Sequence, residues 1–243
     1  MAREKSVVLV VTQGTSPGVA AEAYHNIVTG RAVDYDNGVL RGRVESVVIV
    51  ATSGSMAVLA ARAAAAILTC CMGLDPNRVR LVFAPCSDVT DAASYGAYYD
   101  AVYETLESVL EESKDSIVVL DVTGGRVGMA IAAFEAVNAM LTRDRVRVTT
   151  TQVPPEKYRA VQEAFNEMKG RLEEALARFE ERVKTGDAKR ACEELLEETR
   201  SDKNSLCSLV TREAITAAIW PRPPAPPRRR KRGGTHPQRD QSR

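Results

Sequence analysis

The sequence predicts an α/β protein: a doubly wound, mainly parallel sheet with helices on both faces. Two observations predict it. Apolar runs rich in β-branched residues alternate five times with helical segments before residue 153, which is the pattern of parallel strands joined by crossover helices. One of these runs, Ile117–Leu120, has no polar face at all, as a strand covered on both sides requires. Beyond Pro155 the character changes to long, charged, amphipathic segments, and residues 221–243 are rich in proline and arginine. Three parts are therefore expected. Residues 1–153 form a ligand-binding α/β domain, 154–220 a helical region and 221–243 a disordered tail.

Lys5–Thr12 is the first strand, and Gln13-Gly-Thr-Ser-Pro-Gly18 follows it as a loop. Pro17 suits a first helical position and Ser16 the N-cap before it, so a helix is expected over Val19–Val28. Gly30–Gly42 reads as a polar loop with turn signals at Asp36-Asn37-Gly38. Val44–Thr52 is the second strand, closed by Thr52-Ser53-Gly54-Ser55, and an alanine-rich helix runs from Met56 to Met72. Arg78–Ala84 is the third strand, Pro85–Asp91 a loop and Ser94–Glu112 a helix. Ile117–Leu120 ends at Asp121, Thr123-Gly124-Gly125 turns the chain, and a helix is expected over Ala130–Leu141. Arg145–Gln152 is the fifth strand. Glu156–Lys184 and Asp187–Arg200 read as helices, with Val161, Phe165, Met168, Leu172, Leu176, Phe179 and Val183 forming a packing stripe at helical spacing. Asn204–Trp220 reads as a third helical piece.

The net charge of +1 sums two opposite parts. Residues 221–243 hold eight Arg/Lys against one Asp, whereas residues 1–220 hold 25 basic and 31 acidic side chains. A mildly acidic body argues against a broad positive face for long nucleic acid, and the basic tail predicts weak, salt-sensitive contact with RNA. Cys70, Cys71, Cys86, Cys192 and Cys207 show no C-x-x-C spacing, and with only two histidines a metal site is not expected. Read as free thiols without a secretion signal, they point to the cytoplasm. No stretch reaches the roughly 18–20 apolar residues of a membrane span.

In the doubly wound order the first and fourth strands lie side by side at the switch point, where ligands bind beyond the strands' carboxyl ends. The two most glycine-rich loops, Gly14–Gly18 and Thr123–Gly128, follow those two strands. A glycine turn running from strand into helix is also simply a tight connection. Two of them meeting at the switch point favour a ligand site, because free N–H groups at a helix start suit an anion. Neither G-x-x-x-x-G-K-[ST] nor a G-x-G-x-x-G after the first strand occurs, which disfavours an ordinary triphosphate or dinucleotide site. No cofactor is expected. His25 lies about 12 Å down its helix from the loop and reads as a structural or dimer-face residue. Glu111–Glu112 and Glu197–Glu198 are adjacent on helices and point apart. What remains is a set of small donors at the strand ends (Gly14, Thr15, Ser16, Thr52, Ser53, Gly54, Ser55, Thr123, Gly124, Gly125) and the guanidinium of Arg126. Donors with one cation fit a phosphodiester. An arginine at a helix N-terminus opposes the macrodipole and calls for an anion.

A first strand ending in Thr-Gln-Gly-Thr-Ser-Pro-Gly, paired with a fourth ending in Asp-Val-Thr-Gly-Gly-Arg, resembles the CARF domain of CRISPR-associated proteins, above all the stand-alone archaeal ring nucleases. The resemblance covers roughly Ser6–Gln152. It implies a homodimeric Rossmann-like fold that binds cyclic oligoadenylate, tetra-adenylate foremost, across the two-fold axis, with Ser16 and the Thr123-Gly124-Gly125-Arg126 loop touching the ligand. The family commonly has lysine where this chain has Val127, leaving Arg126 as the cation for the scissile phosphate. The effector parts that often follow such a domain are not recognisable. The one Arg/His pair at HEPN ribonuclease spacing, Arg230 and His236, falls in the tail, and no winged helix is seen. The resemblance thus implies a ring nuclease that removes the messenger. Cleavage would proceed without metal by attack of a ribose 2′-OH, with Ser16 and Arg126 as catalytic residues and linear products ending in 2′,3′-cyclic phosphate. The alternative is a non-catalytic sensor signalling through the helical region.

Overall fold

Val7 to Val11 are all buried, although successive side chains of a strand point to opposite faces. Val7, Leu9 and Val11 enter one apolar cluster and Val8 and Val10 another. The strand they form, β1 (Ser6–Gln13), is therefore the middle of a sheet packed on both sides. The computed structural model describes residues 6–220 except 37, 142 and 202; the expected basic tail lies outside the described residues.

The other strands are β2 (Ala32–Val33), β3 (Val39–Leu40), β4 (Arg43–Thr52), β5 (Val79–Ala84), β6 (Ile117–Asp121), β7 (Val146–Gln152) and β8 (Ile215–Trp220). They form one sheet in the order β3-β2-β8-β7-β6-β1-β4-β5. β5, β4, β1, β6 and β7 pair in parallel, with β6 joined to β1 through Val7–Ile117 to Val11–Asp121. The winding reverses between β1 and β6. This is the doubly wound α/β fold the alternating pattern predicts.

Helices α1 (Val19–Thr29) and α2 (Ser55–Cys70) cover one face; α3 (Ala92–Glu112) and α4 (Val127–Ala139) cover the other. Helices α5 (Pro155–Lys184) and α6 (Ala188–Thr199) form a further layer on the α1–α2 face. The expected stripe from Val161 to Phe179 is buried there. The Arg62 guanidinium on α2 grips Glu180 of α5 through two bonds of 2.6 and 3.1 Å.

Four expectations need correction. Asn204–Trp220 is not helical: Leu206–Leu209 is a 3-10 turn, and β8 runs antiparallel to β7. Pairing with β7 satisfies a row of backbone groups that a helix would leave exposed on that strand, and the β-branched residues of 215–219 suit it. The 30–42 loop folds into the small β2–β3 hairpin, which joins the sheet beside β8. α1 begins at Val19 with Gly18 at the N-cap and no side-chain cap bond, so Ser16 does not cap it. Finally, the cysteines are not free thiols. Cys70 bonds to Cys192 and Cys71 to Cys207, leaving only Cys86 unpaired. Adjacent residues at the end of α2 point to different sides and reach different partners, which spacing alone does not reveal. Thiol content therefore no longer argues for a reducing compartment. Among the described residues no helix is long and apolar enough to cross a membrane.

Candidate functional site

Everything at the switch point hangs from the ends of β1 and β6. Thr12 donates its hydroxyl to the Gly124 carbonyl at 2.7 Å, clamping one glycine loop to the strand that carries the other. Gly14 and Gly125 touch backbone to backbone, and a Cβ on Gly14 would stand 2.6 Å from the Gly125 Cα. Gly125 also has a φ of 106°, a conformation open to glycine and few others. Here the glycines are required by close approach as well as by the turn.

Asp121 holds the second loop from beneath. Its carboxylate is inaccessible and accepts the Thr123 N–H at 3.1 Å and the hydroxyls of Thr149 and Thr151 at 2.9 and 2.8 Å. Burial pushes this carboxyl up, and the hydrogen bonds oppose the shift. The network continues from Thr151 to the Thr216 hydroxyl at 2.7 Å and on to Asn26 Nδ2 at 3.0 Å. One polar chain thus links the Thr123 turn to α1 through β7 and β8. Under the first loop, the buried Gln13 amide donates to the carbonyls of Gly14 (3.1 Å) and Ser16 (2.6 Å).

These loops open onto a cavity of about 620 Å³. Every ligand residue expected from the sequence lines it except Ser53, whose N–H instead bonds the Cys86 carbonyl at 2.8 Å. The expected Ser55 donor lines it as well. Helices α1, α2 and α4 start at its wall, as does α5. α1, α2 and α4 have Gly18, Gly54 and Arg126 at their N-caps, and none has a side-chain cap bond. α3, by contrast, closes its own N-terminus with an Asp91/Ser94 capping box. Uncapped N–H groups carry partial positive charge and are the ready-made partners of an anion. α4 starts at Val127, three residues earlier than expected, which puts Arg126 at the helix mouth itself.

Arg126 does meet an anion, and the chain supplies it. Its Nη2 lies 2.8 Å from Asp88 Oδ2. Ser87 and Asp88, on the loop after β5, line the cavity but belong to neither glycine motif. They were within reach of the sequence, since in this fold every loop after a parallel strand opens to the same side. Tyr158 at the start of α5 also lines the cavity. No local signal marks it, because only the docking of α5 brings it there. His25 sits half-buried along α1, its imidazole pushed down by burial and by Arg212 and Arg31. Among the described residues no three His, Cys, Asp or Glu side chains gather in a way that would hold a metal ion.

No protein-family model matches the chain, and no curated protein does. Among solved structures it is similar to Enterococcus italicus Csm6 bound to cyclic hexa-2′-fluoro-hexa-dAMP, with 13% identity over 63% of this chain, at a TM-score of 0.40. The chain matches 35% of the length of that structure's chain.

Proposed function

We propose that the cavity binds cyclic oligoadenylate and that the chain cleaves it, ending a type III CRISPR signal. One observation carries the reading. Three uncapped helix N-termini and a single arginine converge on one cavity at the switch point, between the two loops whose motifs resemble the CARF domain. Such a seat suits the phosphodiesters of a ring: N–H groups and hydroxyls for the oxygens, and one guanidinium for charge. A cavity of about 620 Å³ is smaller than a four-nucleotide ring, so two cavities related by a dyad would share one. Val127 (76% exposed) and Ile131 (49%) leave apolar surface one turn apart on α4 beside Arg126, which a two-fold contact would cover.

The chemistry requires little of the protein beyond position. A ribose 2′-OH attacks its own phosphodiester when the ring is bent so that oxygen, phosphorus and leaving group align. The loop N–H groups and Arg126 stabilise the developing charge, with Ser16 at the reacting phosphate. The products are linear oligoadenylates ending in 2′,3′-cyclic phosphate. The polar chain from Thr123 to β8 favours a second reading, a sensor whose ligand loop reports to the C-terminal segment.

The test is to mix the protein with cyclic tri-, tetra- and hexa-adenylate, with and without chelator, and follow both binding and products. Loss of ring despite chelator is the expected outcome. Tight binding of an unchanged ring selects the sensor, and no binding rejects both readings. Arg126→Ala should weaken ring binding by about 1.5–3 kcal/mol per lost charge-assisted bond, partly offset by the exposed ion pair that no longer has to break. Unchanged affinity by calorimetry removes Arg126 from the site.

A further inference from the structure

The loop after β5 brings a carboxylate to the cavity that the glycine motifs do not include. Asp88 Oδ2 pairs with Arg126 Nη2 at 2.8 Å, and its Oδ1 accepts the Val89 N–H at 2.8 Å. The loop is fixed on both sides. The Ser53 N–H bonds the Cys86 carbonyl, Gly54 abuts the Ser87 carbonyl, and a Cβ on Gly128 would lie 3.0 Å from Val89 Cγ1. Arg126 is held far less, its side chain 69% exposed on a flexible stem. Among the described residues lining the cavity, Arg126 is the only Lys or Arg and Asp88 the only Asp or Glu.

A phosphate that takes Arg126 from Asp88 therefore stays beside a carboxylate that cannot retreat. The repulsion scales with the charge of that phosphate. A phosphodiester carries one negative charge, whereas a terminal phosphomonoester carries about −1.5 to −2 near neutrality. We propose that Asp88 makes this cavity selective for phosphodiesters, discriminating against mononucleotides and oligoadenylates that end in a free phosphate. The inference rests on the oligoadenylate reading and adds the charge rule by which the site chooses among adenylates. The same carboxylate satisfies a guanidinium that the α4 dipole disfavours.

The test compares the full chain with Asp88→Asn, which keeps the oxygen facing the Val89 N–H and removes the charge. Asp88→Ser is a second variant in case the first is poorly folded. Calorimetry with cyclic tetra-adenylate establishes ring binding. Two linear di-adenylates then compete with the ring, one ending in 2′,3′-cyclic phosphate and one in 3′-phosphate. Removing the charge should tighten the first by about threefold and the second by about five- to ninefold, since the effect is set per unit of charge on the terminal phosphate. Wild type should prefer the cyclic-phosphate end, and added salt should narrow the gap. Equal changes for the two competitors, or weaker binding of both, overturn the inference while ring binding stands. If the ring binds neither protein, the oligoadenylate reading falls and this inference falls with it.

Discussion

Ser16 lines the cavity yet caps no helix, because α1 starts two residues further on at the Gly18 N-cap. Ser16→Ala should therefore leave thermal stability within about 0.5 kcal/mol of wild type. If its hydroxyl serves the reacting phosphate, single-turnover cleavage of cyclic tetra-adenylate should slow by about tenfold, or about 1.4 kcal/mol of transition-state stabilisation. Equal rates would reduce Ser16 to a loop residue. Glu22 poses a different question. It is 3% exposed, one oxygen accepts the Thr211 N–H at 3.0 Å, and the other has no hydrogen-bond partner. Burial pushes its carboxyl up to about 7; the Thr211 N–H opposes this, and the nearby Asp121 charge adds to it. The folded state thus binds this proton more tightly than the unfolded state. Its stability contribution is complete below the ordinary value of 4.5 and is lost as pH rises toward about 7. Asp121, also raised, acts in the same sense. Glu22→Gln keeps the acceptor for Thr211 and removes the charge. It should be on the order of 2–3 kcal/mol more stable than wild type at pH 8 and flatter with pH, by urea unfolding across the range. A wild-type slope retained in the glutamine variant would place the titrating group elsewhere.

At the scale of elements, the glycine loops act as one seat because their backbones touch. Neither Gly14 nor Gly124 has a positive φ, so what they need is space. A Cβ on Gly14 would come within 2.7 Å of the Gly125 nitrogen, and one on Gly124 would strike the Thr12 carbonyl. Gly14→Ala should push the loops apart, costing about 1–3 kcal/mol of stability and most of the ring affinity. Melting and calorimetry on the same sample check both. Full affinity in a destabilised variant would mean that the loops bind independently of their contact. The same logic explains β8. Alone, residues 215–220 are a short apolar piece; beside β7 they complete the sheet and place Thr216 between Thr151 and Asn26.

For the whole molecule, the two disulfides set how the C-terminal segment is fastened. They tie the end of α2 to α6 and to the 206–209 turn, closing separations of 122 and 136 residues. The Leu209 carbonyl of that turn abuts Gly18 at the start of α1, so the fastening reaches the wall of the cavity. Cross-links over loops this long restrict the unfolded chain by about 4–5 kcal/mol for the first, with less from the second because the loops overlap. Cys71→Ser combined with Cys207→Ser should lower stability by about 2–4 kcal/mol in guanidinium unfolding, and reductant should shift wild type further. No change with reductant would mean that the four cysteines are reduced in solution.

Val7–Val11, Ile117–Leu120 and the two glycine loops were legible because their signals are local. Unbroken β-branched runs mark buried parallel strands, and the doubly wound order then brings the loops after β1 and β6 together. That logic located the cavity and the part of its expected lining that follows β1 and β6. The ion pair of Asp88 with Arg126, the place of Tyr158, the strand at 215–220 and the pairing of Cys70 and Cys71 were decided by the tertiary structure. Each depends on a partner far along the chain: Arg126 for Asp88, the docking of α5 for Tyr158, the open flank of β7 for β8, and α6 and the 206–209 turn for the cysteines. Periodicity records which face of a segment is buried. It does not record what lies against that face, and ion pairs, edge pairing and cross-links are properties of the pair.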